Sequence, residues 1–396
     1  MKTRRHSASI ILLGSIFAIL GLFIFWVWHL ASPANSTDFD RPGSSKVNST
    51  SSANKNSQPS QGTQVASIST ARTHDNLLKA IEQTLAELLS QDPERIKQAL
   101  DRLDELLSGD GHDAQTSIAA ILDFLKTGKD ALTGEGFQVG ENGVLEAANT
   151  LRVFLLDHLG TLCREAGSKE ALDMAKQILS GFGSADEWAV CLRNTAWLDP
   201  QSQPLLTSKM QEMLSHEPWL KEPSIGMLEA FDVVAYSGSL DLIPRLSGFL
   251  QHNDDHPLWR ASIVALDQMA TLHPAEVVDW LSKNPEMLNE HPMQRADLYS
   301  KVDLTDPAQK QAIEAVLARQ DLSVKERSKI LSGLLTPGNF LSNNLLTKQP
   351  VFNEATERRR LDLVNQIGSE WLASGRFSDL TSALNDLVKR STLPTK

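Results

Sequence analysis

The sequence predicts an all-α protein: an array of antiparallel helix pairs, preceded by one transmembrane helix and a disordered stalk. Three observations predict it. Residues 7–30 contain no Asp, Glu, Lys or Arg. Residues 31–72 are dominated by Ser, Asn, Thr and Gln. From about His74 onward apolar residues recur with a helical period, and Pro and Gly punctuate the runs at starts and ends.

The N-terminal elements follow from charge and length. Residues 1–6 carry Lys2, Arg4 and Arg5, and the first charges after the apolar run are Asp38 and Asp40. As a helix, residues 7–30 would reach about 36 Å, enough to cross a ~30 Å hydrocarbon core with some tilt. The positive-inside rule makes residues 1–6 a cytoplasmic tail and everything beyond the anchor extracytoplasmic, periplasmic if the source is bacterial. Trp26 and Trp28 fall at the outer interface, where aromatic belts form. A cleaved signal peptide is the competing reading, but its apolar stretch is usually ~7–15 residues, and this one is longer. The stalk has only Phe39, Val47, Val65 and Ile68 as sizeable apolar side chains. It cannot bury enough surface to offset its ordering entropy.

Residues 73–396 form the predicted helical domain. The whole chain carries −11 and residues 1–71 carry +4, so the remainder carries −15. That acidity argues against nucleic acid as a partner. Two cysteines, Cys163 and Cys191, are too few for a four-cysteine zinc site. They are expected as buried free thiols, because one sits near a helix end and the other near mid-helix.

The first helical run, Asn76–Gln91, places Leu77, Leu78, Ile81, Leu85 and Leu88 on one face. Asp92-Pro93 restarts a helix that ends at Gly109. The glycine-rich insert Thr133–Gly143 is the one candidate for strand, as a small hairpin. Second helices of successive pairs are expected to start near Ala147, Ala185, Ser224, Pro257, His291 and Ser323, at spacings of 32 to 39 residues. Residues 74–126 and 351–390 would be irregular caps.

The clearest unit is 239–272. Ser239 is expected to cap a helix holding Leu242, Ile243, Leu246, Phe249 and Leu250; Asn253-Asp254-Asp255 breaks it, and Pro257 opens the next. With Pro244 in the first helix, Asp255 in the turn and Trp259-Arg260-Ala261 in the second, this unit resembles the HEAT-repeat family. The resemblance implies a HEAT-like α-solenoid in which Asp255 and Arg260 knit adjacent repeats. The spacings are nearer the 34 residues of tetratricopeptide repeats, but the Trp, Leu-Gly and Tyr signature of that family does not recur.

Candidate chemistry is sparse. His252-Asn253-Asp254-Asp255-His256 offers metal donors, yet adjacent residues on one short turn cannot all converge on an ion. Gly109-Asp110-Gly111-His112-Asp113 lies between helices and has no Gly-x-Ser-x-Gly nucleophile to serve. Thr127-Gly128-Lys129 lacks the rest of a phosphate loop. Asp38-Phe39-Asp40 lies in the stalk, and no parallel sheet is predicted for a nucleotide-sugar fold. The Trp residues within helices are read as core. No cofactor and no catalytic residue is expected.

The reading that remains is a membrane-tethered extracytoplasmic scaffold for a protein partner, with the bilayer engaged through residues 7–30. Its alternative is an envelope enzyme acting on glycan, with a carboxylate pair in the groove. For the scaffold, Arg260, Asp267, Gln294, Asp297, Lys301, Lys325 and Lys329 are expected on the outer faces of successive second helices, as a mixed-charge stripe. The run Arg358-Arg359-Arg360 is expected on a solvated face, with docking as its alternative role.

Overall fold

A computed structural model describes residues 62–90, 92–108, 113–252, 256–336, 344–348 and 353–392, with side chains from Thr73 on. They belong to one unit, Ser60–Lys396. The expected anchor at residues 7–30 and most of the stalk lie outside the described residues. No helix among those described is long and apolar enough to cross a membrane.

The described chain is all-α apart from one small hairpin. Helix α1 (Gly62–Leu88) packs on α2 (Pro93–Ser108) and on α3 (Ala114–Lys126). It begins inside the segment expected as stalk, so the boundary at residue 72 is corrected to Gly62. No proline interrupts the chain between Pro59 and Pro93, and an established helix propagates until something stops it. Asp75 therefore lies within the helix.

Strands β1 (Gln138–Val139) and β2 (Leu145–Ala147) pair antiparallel around a tight turn at Glu141–Gly143. The hairpin expected at Thr133–Gly143 exists but extends further, so Ala147 is strand and not helix start. Helix α4 (Leu151–Ala166) starts after it, capped by the Thr150 hydroxyl on the Val153 N–H. The other expected starts are seen. Ser184, Ser224 and Ser323 accept from the third N–H of α6 (Ala185–Leu198), α9 (Ile225–Glu229) and α16 (Val324–Gly333). Proline opens α12 (Pro257–Leu272) and α14 (Pro292–Tyr299).

Between them lie α5 (Glu170–Ile178), α7 (Gln203–Met213), α8 (Glu217–Lys221), α10 (Asp232–Ser237), α11 (Ile243–Phe249), α13 (Pro274–Lys283) and α15 (Pro307–Leu317). The chain closes with α17 (Glu354–Ser374) and α18 (Thr381–Ser391). In the 239–272 unit Ser239 does not cap a helix; its hydroxyl bonds Thr207 and Ser237. Pro244 lies in the first turn of α11, where its missing N–H costs nothing, and not inside the helix.

Contacts follow one order. α3, α4, α6, the α9–α10 pair, α12, α14, α16 and α18 each pack on the next. A second set flanks this row: α5 on α4 and α6, α7 on α6 and α10, α13 on α12 and α14, α17 on α18. Buried side chains from Leu77 to Leu387 make one continuous apolar cluster between the two. Trp188 and Trp371 belong to it, with their indole N–H groups donating to the Gly181 carbonyl and to Glu314. Both cysteines are buried as free thiols, and burial raises the pKa of each.

One segment departs from this order. Residues 344–348, between α16 and α17 in sequence, lie against the start of α10. The Asp232 carboxylate accepts the Leu346 N–H at 2.7 Å, the Thr347 N–H at 3.0 Å and the Thr347 hydroxyl. Leu345 is fully buried, and its carbonyl lies where a side chain on Gly143 would be. Gly143 has φ +79°, so glycine is required there twice over.

Candidate functional site

Polar side chains stitch the main row together. Between α4 and α6, Arg152 forms a bidentate pair with Glu187 at 2.8 and 3.0 Å. Arg193, with no exposed surface, meets Asp157, the Gly143 carbonyl at 2.6 Å and the Asn194 amide oxygen at 2.8 Å. Its guanidinium also stacks on the Trp197 ring at 4.1 Å. Asp157 accepts the Leu145 N–H as well, which ties the hairpin to the row. Asp186 links Asn149 to the Gly226 N–H at the start of α9. Between α14 and α16, Arg295 grips Glu326 at 2.7 and 3.2 Å and the carbonyls of Pro285 and Met287. Arg327 continues to Asp379 at 2.6 Å.

The expected stripe joins this lattice. Asp267 is not on an outer face: it is buried, and Lys301 Nζ stands 2.7 Å from its carboxylate. The row places the next helix over that position. Asp297 and Lys329 meet at 2.9 Å and stay half-exposed, and Gln294 is half-buried beside them. Lys325 is exposed. Arg260 is exposed and has a partner of its own, whereas Asp255 lies outside the described residues. Four members of the stripe are therefore two cross-helix pairs.

The arginine run divides in the same way. Arg358 is exposed and pairs with Glu354 one turn earlier. Arg360 is not on a solvated face: it turns back to the carbonyls of Leu334 and Leu335 and pairs with Glu357 at 2.6 Å. The end of α16 leaves those carbonyls without helical partners, and a guanidinium satisfies both. Among the described residues Arg359 makes one bond, to the Ala355 carbonyl at 3.2 Å, and no ion pair.

Arg359, Arg360 and Lys301 converge on one cleft of about 690 Å³. Its floor is apolar, from Leu304, Leu334 and Val364; hydroxyls of Thr271, Ser300, Thr336 and Thr356 ring it. The two carboxylates in the lining are occupied, Glu357 by Arg360 and Asp303 by the Thr305 N–H and hydroxyl. Among the described residues Arg359 is thus the cleft cation without an ion pair. The described lining contains no His or Cys. An apolar floor, hydroxyl rim and unpaired guanidinium fit an apolar side chain next to an anionic group. Among the described residues no group of three or more His, Cys, Asp or Glu is arranged to hold a metal. Sequence reasoning found Lys301, Arg359 and Arg360 separately but missed Leu304, Leu334 and the hydroxyls, which carry no local pattern. No family model, curated protein or solved structure matches the chain.

Proposed function

We propose that this chain is a membrane-tethered, extracytoplasmic scaffold whose helical domain is a HEAT-like α-solenoid that binds a protein partner. The observation that carries the reading is the stitched row: each helix of the row packs on the next, and ion pairs cross the α4–α6, α12–α14 and α14–α16 joints. Such a row builds a long, pre-ordered surface, the property a docking platform needs. The uncharged residues 7–30 and the polar residues 31–61 support a tether. The cleft under Arg359 is the proposed docking point, and an acidic-apolar segment of a partner is its proposed occupant.

The test is crosslinking and mass spectrometry from native membranes. Crosslinks from one protein should cluster at Lys325 and Lys329 on α16, whose C-terminal end lines the cleft, and Arg359→Glu should remove them while leaving melting unchanged, as exposed substitutions do. Crosslinks unaltered by Arg359→Glu, on a folded protein, would move the docking point away from the cleft.

A further inference from the structure

Exposed apolar side chains gather at one edge of the row. Among the described residues, four of the eight large apolar side chains left in water stand at the starts of row helices. Leu132, 73% exposed, bridges to Thr150, the cap of α4. Phe182, 46% exposed, comes just ahead of Ser184, the cap of α6. Ile225 and Val324, 53% and 48% exposed, follow the caps of α9 and α16. The first three starts are neighbours in space: Arg152 of α4 pairs with Glu187 of α6, and Asp186 of α6 accepts the Gly226 N–H of α9. Beside them Phe182 stacks on half-buried His216, ring centroids 4.3 Å apart, and half-buried Trp219 stands edge-on to it. One exposed leucine needs no explanation, but a line of such residues at one edge marks a contact surface.

Charge is drawn away from this edge. Asp130 accepts the Arg152 N–H, Asp186 the Gly226 N–H, and Glu187 is held in its bidentate pair with Arg152. The exposed neighbours Lys129 and Asp130, and again Lys221 and Glu222, offset each other in sign. What covers such an edge follows from what the chain is tied to. The proposed tether leaves residues 31–61 between the bilayer and α1. A polar linker of that length averages about 30 Å end to end as a coil, which raises the effective concentration of lipid at the domain. Aliphatic side chains with an aromatic group beside them are also the composition of interfacial membrane contacts. The Arg359 cleft lies at the opposite edge, since Thr271, Ser300 and Leu334, at the ends of α12, α14 and α16, line it. Seating the helix starts on lipid leaves that cleft open to a partner.

We infer that the edge formed by the starts of α4, α6 and α9 rests on the bilayer that anchors the chain, with Leu132, Phe182 and Ile225 inserted at the headgroup level. The inference rests on the tether of the scaffold reading and uses the edge opposite its docking point. The contact takes apolar surface out of water, so it requires no particular headgroup charge and is indifferent to salt.

The test uses the full chain in vesicles of phosphatidylcholine and phosphatidylethanolamine, with an environment-sensitive fluorophore on single introduced cysteines. Leu132→Cys and Ile225→Cys report the edge; Tyr236→Cys, exposed near the end of α10, reports the opposite one. Cys163 and Cys191 are buried thiols and stay unlabelled in the folded protein. Nitroxide lipids should quench both edge labels, which sit about 5–10 Å into the headgroup region, and leave the Tyr236→Cys label bright. Leu132→Asp should weaken quenching at the Ile225→Cys label with melting unchanged, whereas about 1 M salt should not weaken it. Equal quenching at the two edges, no effect of Leu132→Asp, or loss of quenching in that salt overturns the apolar contact. Edge labels that are shielded from water but unquenched, increasingly so at higher protein density, overturn the bilayer as occupant in favour of a second copy. Carbonate extraction separates the two readings. A released chain refutes the tether and this inference with it; a retained chain with unquenched edge labels overturns this inference alone.

Discussion

The joints α4–α6 and α14–α16 are built from the same kind of parts and differ in where water reaches. Each has a bidentate arginine–glutamate pair, Arg152–Glu187 in one and Arg295–Glu326 in the other, shielded from solvent. Each adds an aspartate paired to a cation on the next helix. In α4–α6 that second pair, Asp157–Arg193, is buried on both sides. In α14–α16 it is Asp297–Lys329, with side chains 41% and 40% exposed. The buried pair is surrounded by donors and acceptors from the hairpin and from Asn194, so removing one member strands several groups at once. The exposed pair returns its charges to water when broken. The same ion-pair chemistry makes one joint brittle and the other tolerant.

Arg193→Met should break the comparison most sharply. It leaves Asp157 buried without its cation and the Gly143 carbonyl without a donor, and should cost about 3–5 kcal/mol in denaturant melts. A loss below about 1 kcal/mol would mean the network contributes little. Asp267→Ala comes next, at about 3 kcal/mol, because Lys301 is left almost without solvent. Gly160→Ala follows. A methyl there would overlap the Asn194 amide between α4 and α6, forcing the helices apart at about 1–3 kcal/mol. Asp297→Ala is expected near the bottom, at about 0.2–1 kcal/mol, and should lose even that in high salt. A cost for Asp297→Ala equal to that for Asp267→Ala would refute the burial argument.

The smallest effects concern pH and have opposite signs in two places. The hydrogen bond from His158, at 2.8 Å, holds Asp104 below the usual carboxylate range. Its stabilising contribution is therefore present above the unfolded pKa and fades as pH falls through the folded value. Asp104→Asn should melt slightly lower than wild type near pH 6, and the gap should shrink as pH falls below the ~4 of an ordinary carboxyl. Glu229 is raised, so in the folded state it keeps its proton longer and stability falls as pH rises through its titration. Melting curves at several pH values should show the two trends crossing; parallel curves would remove the distinction.

Much of the helical plan was legible in the sequence because helix starts are written locally. Ser184, Ser224, Ser323, Pro257 and Pro292 mark theirs through caps and fixed φ, both properties of a few adjacent residues. Ala147 misled because a strand three residues long has no period to detect. Asp267 and Asp297 look alike on a helical wheel, and only the packing of the following helix buries one of them. The contacts of Asp232 with Leu346 and Thr347 join residues more than a hundred positions apart, and no local pattern announces them. The cleft was legible only in its cations, since hydroxyls and leucines occur everywhere.

The segment at residues 344–348 changes how the row should come apart. In an array where each unit touches only its neighbours, pulling from one end would release helices singly, with many small rips in a force trace. Leu345 against Gly143 and Thr347 on Asp232 clip the hairpin, α10 and the stretch before α17 to one another. Everything from residue 143 to residue 346 is then enclosed in a loop that opens only when the clip yields. Under tension that span should resist as a block and give way in one large step, while α17 and α18 peel away independently.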